Sequence, residues 1–182
     1  MVFTVFNLVE AVWFILPAFA ANGLAPLMGL RKGLHPIDGG RSFRGRRVLG
    51  EGKSWEGLFF GAFVGAAIAS VEMLSFPFLP WGMSEIPLTI VAMSPLLGFA
   101  LGMGAMLGDA AGSFIKRRLK KERGAPVPLL DQLDFLAGSL ILASAFVQIK
   151  LEWVVLLAVV TPAVHLVSNV AGFRLGVKKT PW

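Results

Sequence analysis

The feature that most constrains this chain is the length of its apolar blocks: each runs roughly 20 residues, enough for an α-helix to cross about 30 Å of hydrocarbon at about 1.5 Å per residue. Five blocks can be placed, near residues 2–24, 55–75, 88–108, 129–149 and 152–173. Of the 182 residues 55% are hydrophobic and only 15% charged, whereas about a quarter of a soluble domain is charged. A water-soluble core is therefore excluded. The expected fold is all-α, an integral membrane bundle of five transmembrane helices in one domain over residues 1–182. Polar loops are expected at 28–54 and 109–128, with a basic tail at 174–182.

The first block ends in Ala18-Phe19-Ala20-Ala21, which mimics a signal-peptide cleavage site, but no basic region precedes it. It reads as a retained helix, closed by Asn22-Gly23 and Pro26. In the second block Gly57, Gly61 and Gly65 repeat every four residues, placing small residues on one face where another helix can approach closely. Sixteen of the seventeen Lys and Arg fall in the first loop, the third loop and the tail, and only Lys150 lies on the other side. Basic loops stay cytoplasmic, so this partition predicts the N-terminus outside and the C-terminus inside. It also assigns the net charge of +6 to a membrane surface, with no nucleic-acid partner.

There is no cysteine, so any chemistry must use oxygen and nitrogen. Asp131 and Asp134 are three apart at the start of the fourth block, hence on one helix face. Asp109 closes the third block at the same expected depth. Three converging carboxylates repel unless a cation neutralises them, and oxygen ligands suit Mg²⁺. Capping by the helix dipole would explain one isolated Asp, but not three beside a basic cluster. Ser113, Lys116 and Arg117 follow Asp109 at offsets of four, seven and eight, one side of a helical continuation, and Lys and Arg with Mg²⁺ form the usual phosphate clamp. Arg118, Lys120 and Lys121 are expected to be anchors to anionic lipid.

The first loop carries His35-Pro36-Ile37-Asp38-Gly39-Gly40, an Arg-rich stretch to Arg47, then Gly50-Glu51-Gly52-Lys53-Ser54-Trp55. Gly52-Lys53-Ser54 is not a P-loop, because Arg47 occupies the required earlier glycine and no strand precedes it. A Gly- and Arg-rich loop nonetheless suits a polyphosphate. Thr161, His165, Ser168 and Asn169 share one face of the fifth block, and Glu10 sits inside the first. The polar face is expected to point into the bundle and serve interhelical hydrogen bonding, and Glu10, an intramembrane acid, is a functional candidate by default with no assigned role.

Gly108-Asp109, Ser113, Lys116-Arg117, Gly124, Pro128, Asp131 and Asp134 are similar to the signature of integral-membrane CTP-dependent phosphatidate cytidylyltransferases. Bacterial and eukaryotic members carry Gly-His-Gly-Gly before the paired acids and Arg after the first; here Leu129-Leu130 and Gln132 occur instead. Over nearly its whole length the chain more closely resembles the archaeal branch, the CDP-archaeol synthases. The likeness includes Asp38-Gly39, Phe43, Arg47, Leu49-Gly50, Lys53-Ser54-Trp55 and the stretch from Gly176 to Trp182. The resemblance implies transfer of CMP from CTP to an isoprenoid glycerol phosphate lipid, 2,3-bis-O-geranylgeranylglycerol 1-phosphate, with Mg²⁺ as cofactor. It implies Asp109, Asp131 and Asp134 as metal ligands and, with Lys116, catalytic residues. Asp38, Arg47, Lys53, Ser54, Ser113 and Arg117 are then expected to bind CTP and its phosphates at the cytoplasmic face of the cell membrane. A small transporter is a rival reading, disfavoured because the polar residues crowd one side. A CDP-alcohol phosphotransferase would need acids four apart in a pattern beginning Asp-Gly-x-x-Ala-Arg, which is not found around Asp131 and Asp134.

Overall fold

The computed structural model describes residues 3–79, 88–122 and 125–177. Gly124 and residues 178–182, which figure in the expectations above, lie outside them. The described residues form five α-helices, α1 (Val5–Met28), α2 (Trp55–Ser75), α3 (Pro95–Arg118), α4 (Leu130–Ala143) and α5 (Leu151–Arg174), and one small hairpin, β1 (Ser42–Phe43) with β2 (Arg46–Arg47). Four helices, α1, α2, α3 and α5, are long and apolar enough to cross a bilayer. The chain is a multi-pass membrane protein.

Helix starts follow from capping. Thr4 caps α1 and Ser54 caps α2, each side chain accepting a backbone N–H from the first turn. α3 begins later than the apolar block, because Ser94 caps it with Pro95 at the first helical position, the residue pair best suited to that junction. Residues before it run as a non-helical segment against α1, where Trp13 Nε1 donates to the Val91 carbonyl at 3.2 Å. α3 also continues to Arg118, so Asp109 stands within the helix rather than at its end. α1 likewise runs past Asn22-Gly23 and through Pro26 to Met28; proline is tolerated in membrane helices where neighbouring groups satisfy the freed carbonyl. The fourth block differs most. α4 has 14 residues, about 21 Å of helix, short of the hydrocarbon thickness.

α3 sits at the centre, packed on α2 on one side and α4 on the other, while α1 lies across them and α5 leans on α1 and α4. It is the most buried of the four long helices, and α5 the least. Glycines make this possible on both faces. Gly98 and Gly102 meet Gly65 and Gly61 of α2, and a Cβ on Gly102 would overlap the Gly61 carbonyl. On the other face Gly104 and Gly108 meet Gly138 and Asp134 of α4; a Cβ on Gly138 would lie 2.8 Å from Gly108 Cα. Backbones in such contact gain dispersion and weak Cα–H contacts that larger residues would forbid. Around them a core of Phe14, Ile15, Leu101, Phe135, Trp153 and Leu157 is closed, with the Phe14 and Trp153 rings 5.3 Å apart.

The bundle has two polar ends of unlike character. At one, the C-termini of α1, α3 and α5 and the N-termini of α2 and α4 gather with the basic residues. At the other, Glu10 is buried and accepts from Lys150 Nζ at 2.7 Å, Trp153 Nε1 at 3.1 Å and the Thr89 N–H at 2.6 Å. Glu10 therefore ties α1 to the segment before α3 and to the start of α5. Replacing Gly102 by Val should push α2 and α3 apart and lower stability by about 1–3 kcal/mol or more, the usual cost of overpacking. A thermal unfolding curve in detergent unchanged from wild type would contradict this packing.

Candidate active site

The 28–54 loop is organised around Asp38. Its side chain is 1% exposed, yet both oxygens are occupied: Arg47 Nη2 donates at 2.6 Å, and the backbone N–H groups of Gly40, Leu49 and Gly50 donate at 3.0, 3.0 and 3.2 Å. Burial alone would raise its pKa, but the guanidinium and three amides hold the carboxyl well below the usual carboxylate range. Arg47 is correspondingly held protonated, chiefly by Asp38. Between them the chain turns at Arg44 and Gly45, both at positive φ (53° and 76°), the requirement of a tight two-residue hairpin whose strands pair Ser42 with Arg47 and Phe43 with Arg46.

Two further contacts anchor this loop to the helices. At its base the Ile37 N–H donates to the Lys53 carbonyl and the Trp55 N–H to the His35 carbonyl, at 2.9 and 3.0 Å, which fixes Lys53 at the mouth of α2. From the end of α3, Arg118 donates to the carbonyls of Phe43 and Arg47 at 2.8 and 2.9 Å and lies over the rings of Phe43 and Phe114, each 5.2 Å away. Arg118 is thus a clamp between hairpin and helix, not the lipid anchor expected of it. Its Phe114 and Phe43 partners were visible in the sequence, but nothing there joined positions 71 residues apart.

Lys53 pairs with Asp109 of α3. Lys116, two turns further along the same helix, pairs with Asp131 Oδ1 at 2.8 Å, and the second oxygen of Asp131 accepts the Val127 N–H at 3.0 Å. These two lysine–carboxylate pairs face one cavity of about 850 Å³, together with Arg47 and Ser54. Among the other expected site residues, Asp38, Ser113, Arg117 and Asp134 do not line it. Asp38 orders the loop behind Arg47. Ser113 is buried one turn past Asp109, and Arg117 donates to the Glu122 carbonyl at 3.2 Å, closing the turn after α3. Ser54 lines the wall while its Oγ caps α2 by accepting the Gly57 N–H at 3.1 Å.

Asp134 stands directly behind the cavity. Its carboxylate fills the notch left by Gly112 of α3, where any Cβ would overlap it, and its Oδ1 accepts the Phe135 N–H at 2.6 Å. It lies within electrostatic reach of Asp109, Lys116 and Lys53. The five charges therefore form one group built from the loop entering α2, from α3 and from α4. Among the described residues no three acids or imidazoles converge as a ready ligand set. The donor chemistry still fits a hard divalent cation, since Asp109 and Asp131 offer carboxylate oxygens to the same cavity. Leu129, which leads into α4, holds a positive φ of 66°, a backbone state rare for leucine that sets where Asp131 enters the cavity wall.

The model of one protein family, CarS-like CDP-archaeol synthase, matches residues 4–182. The chain belongs to that family. It is accordingly an enzyme family, and its members resemble the chain over nearly their full length. The CDP-archaeol synthase of Methanococcus aeolicus is 38% identical, with 98% of each chain covered. That of Halobacterium salinarum is 42% identical, with 97% of each covered. Among solved structures, one described as an intramembrane enzyme for archaeal membrane lipids biosynthesis is 36% identical, with a TM-score of 0.71 over 89% of this chain and 94% of that one.

Asp38 gives the pH dependence its sign. A carboxyl held below its unfolded value contributes stability that is present in full above the ordinary carboxylate range and fades as the pH drops toward the folded value. Asp38→Asn should loosen the loop by about 1–3 kcal/mol at neutral pH, the discounted worth of a buried carboxylate with a half-buried Arg partner. Limited proteolysis of the 28–54 loop should be faster in the variant at pH 7, the difference shrinking below about pH 4. Equal cleavage at both pH values would contradict the role given to Asp38.

Proposed function

We propose that the chain transfers CMP from CTP to an isoprenoid ether lipid phosphate, 2,3-bis-O-geranylgeranylglycerol 1-phosphate, forming CDP-archaeol and pyrophosphate. The observation that carries this reading is the cavity in which Lys53–Asp109 and Lys116–Asp131 face each other beside Arg47. A lipid phosphate is already an ionised nucleophile, so no hydroxyl or thiol need be activated. One of its oxygens attacks the α-phosphorus of CTP, the bond from that phosphorus to the bridging oxygen of the β-phosphate breaks, and the electron pair leaves with pyrophosphate. What the protein must supply is positioning of two polyanions and stabilisation of the leaving charge.

The two ion pairs are suited to both tasks because they can exchange partners. With the cavity free of nucleotide, each lysine neutralises a carboxylate. When a triphosphate enters, Lys53 and Lys116 turn to its oxygens beside Arg47, and the released carboxylates of Asp109 and Asp131, backed by Asp134, would hold Mg²⁺. The ion supplies charge neutralisation on the phosphates. Arg47 is pre-aimed by Asp38 and loses little freedom on binding. Asp109 is braced from the other side by its own helix, and Asp131 by the Val127 amide.

The basic end of the bundle is proposed to be cytoplasmic in the cell membrane, with the N-terminus outside and the C-terminus inside, which brings CTP to the cavity from the cytosol. Five crossings are proposed, the short α4 completing its passage with the residues that follow it. Incubating the purified protein with labelled CTP, Mg²⁺ and either the archaeal lipid phosphate or a diacylglycerol phosphate should give labelled CDP-lipid with the first. Asp131→Asn should lower turnover by about a hundredfold or more, as when one preorganised charged group is removed from a phosphate site, whereas the exposed Lys120→Ala should stay within about twofold. Absence of product with both lipids, or full turnover in Asp131→Asn, would overturn the proposal.

A further inference from the structure

The polar face of α5 is not used by the charge cluster, yet it opens on the same cavity. His165 and Asn169 line the cavity wall together with Asn22 of α1. Asn169 is 3% exposed, and its Nδ2 lies 3.2 Å from His165 Nδ1. The His165 ring stacks on Phe135 of α4, with centroids 6.3 Å apart and planes 24° from parallel. The three polar residues thus come from two helices and are braced by a third. A second, smaller recess of about 30 Å³ continues from them, walled by the same three together with Phe19, Phe135 and Val164.

The order of these residues along the helices gives the recess a direction. α5 runs toward the basic end, so His165 lies about 6 Å deeper in the bundle than Asn169, and on α1 Phe19 lies about 4.5 Å deeper than Asn22. From the lysine–carboxylate pairs across the cavity to the smaller recess, the wall is first charged, then uncharged and hydrogen-bonding, then joined by aromatic and aliphatic side chains. A glycerol phosphate lipid has the same sequence of chemistry: phosphate, then a glycerol bearing weakly accepting oxygens, then hydrocarbon. Amide and imidazole groups at the middle level can donate to those oxygens without competing for the phosphate, and polar groups at that depth are costly unless they meet a partner.

We propose that Asn22, His165 and Asn169 form the subsite for the glycerol of the lipid phosphate, its hydrocarbon leaving past Phe19 and Val164. This assignment rests on the lipid cytidylyl transfer proposed above. It adds that recognition of the lipid resides on α1 and α5, whereas recognition of the nucleotide phosphates resides on the first loop, α2 and α3. The two substrates are therefore separable by mutation.

His165→Phe and Asn22→Leu, on different helices, each remove the polar group at similar size. Each should raise the KM for the lipid phosphate by about tenfold, the loss of one to two hydrogen bonds, while the KM for CTP moves by less than about twofold. Binding of labelled lipid phosphate measured without CTP, in nanodiscs, should weaken by the same factor and does not depend on turnover. A lipid KM and binding equal to wild type in both variants would overturn the subsite while leaving the cytidylyl transfer standing. A CTP KM rising in parallel would overturn it as well, since the wall would then serve the nucleotide. Failure of wild type to bind the lipid phosphate at all would overturn the subsite, and absence of CDP-lipid in the wild-type assay would by itself overturn only the reaction.

Discussion

Close approach of backbones along α3 is the constraint on which the rest of the structure depends. Three charged elements must meet: the mouth of α2 with Lys53, the middle of α3 with Asp109, and the first turns of α4 with Asp131 and Asp134. Helices with ordinary side chains between them would stand roughly 8–10 Å apart at the axes. Glycines at 98 and 102 admit α2, and those at 104, 108 and 112 admit α4. Gly112 shows the coupling between packing and chemistry most directly, since the space of its missing side chain is taken by a carboxylate. In a membrane this mode of association is apt, because lipid tails offer no hydrophobic reward for bringing helices together and contact must come from fit.

The same economy of space explains how so many charges survive beside a bilayer. Each acid around the cavity has a basic or amide partner: Asp38 has Arg47, Asp109 has Lys53, and Asp131 has Lys116 and an amide. The pairs differ in kind. Asp38 is sealed in and ordered by four donors, which makes it a fixed brace. Asp109 and Asp131 are about a quarter exposed and face open volume, so their lysines can be drawn away by a more highly charged guest. A rigid brace behind and exchangeable pairs in front are what a site needs if it must receive a triphosphate and release pyrophosphate.

Much of this was legible in the sequence, for identifiable reasons. Apolar block length placed the four long helices, because the bilayer sets helix length independently of partners. Charge asymmetry placed the basic end, and helical spacing put Asp109 with Lys116 on the cavity side of α3, while Asp134, expected beside Asp131, stands outside the cavity lining. The parts that were not legible depend on contacts between distant segments. The start of α3 at Ser94-Pro95 was hidden because residues 88–94 are as apolar as the helix and differ only in capping. The pairing of Glu10 with Lys150 joins residues 140 apart, and Arg118 reaches a hairpin 71 or more residues upstream. The polar face of α5 could be seen, but not where it pointed; only the cavity shared with α1 gave it a destination.

The central claim is that the first loop and the entrance to α4 bound one cavity, and that this cavity is where the nucleotide sits. The chain has no cysteine, so thiols can be placed singly at two wall positions outside the charged group, Gly52→Cys and Pro126→Cys. In the doubly substituted, folded protein a short bifunctional thiol reagent should join the two positions, and CTP with Mg²⁺ should slow that reaction by filling the space between them. Modification of each thiol without joining, or joining at the same rate with and without CTP, would contradict the account.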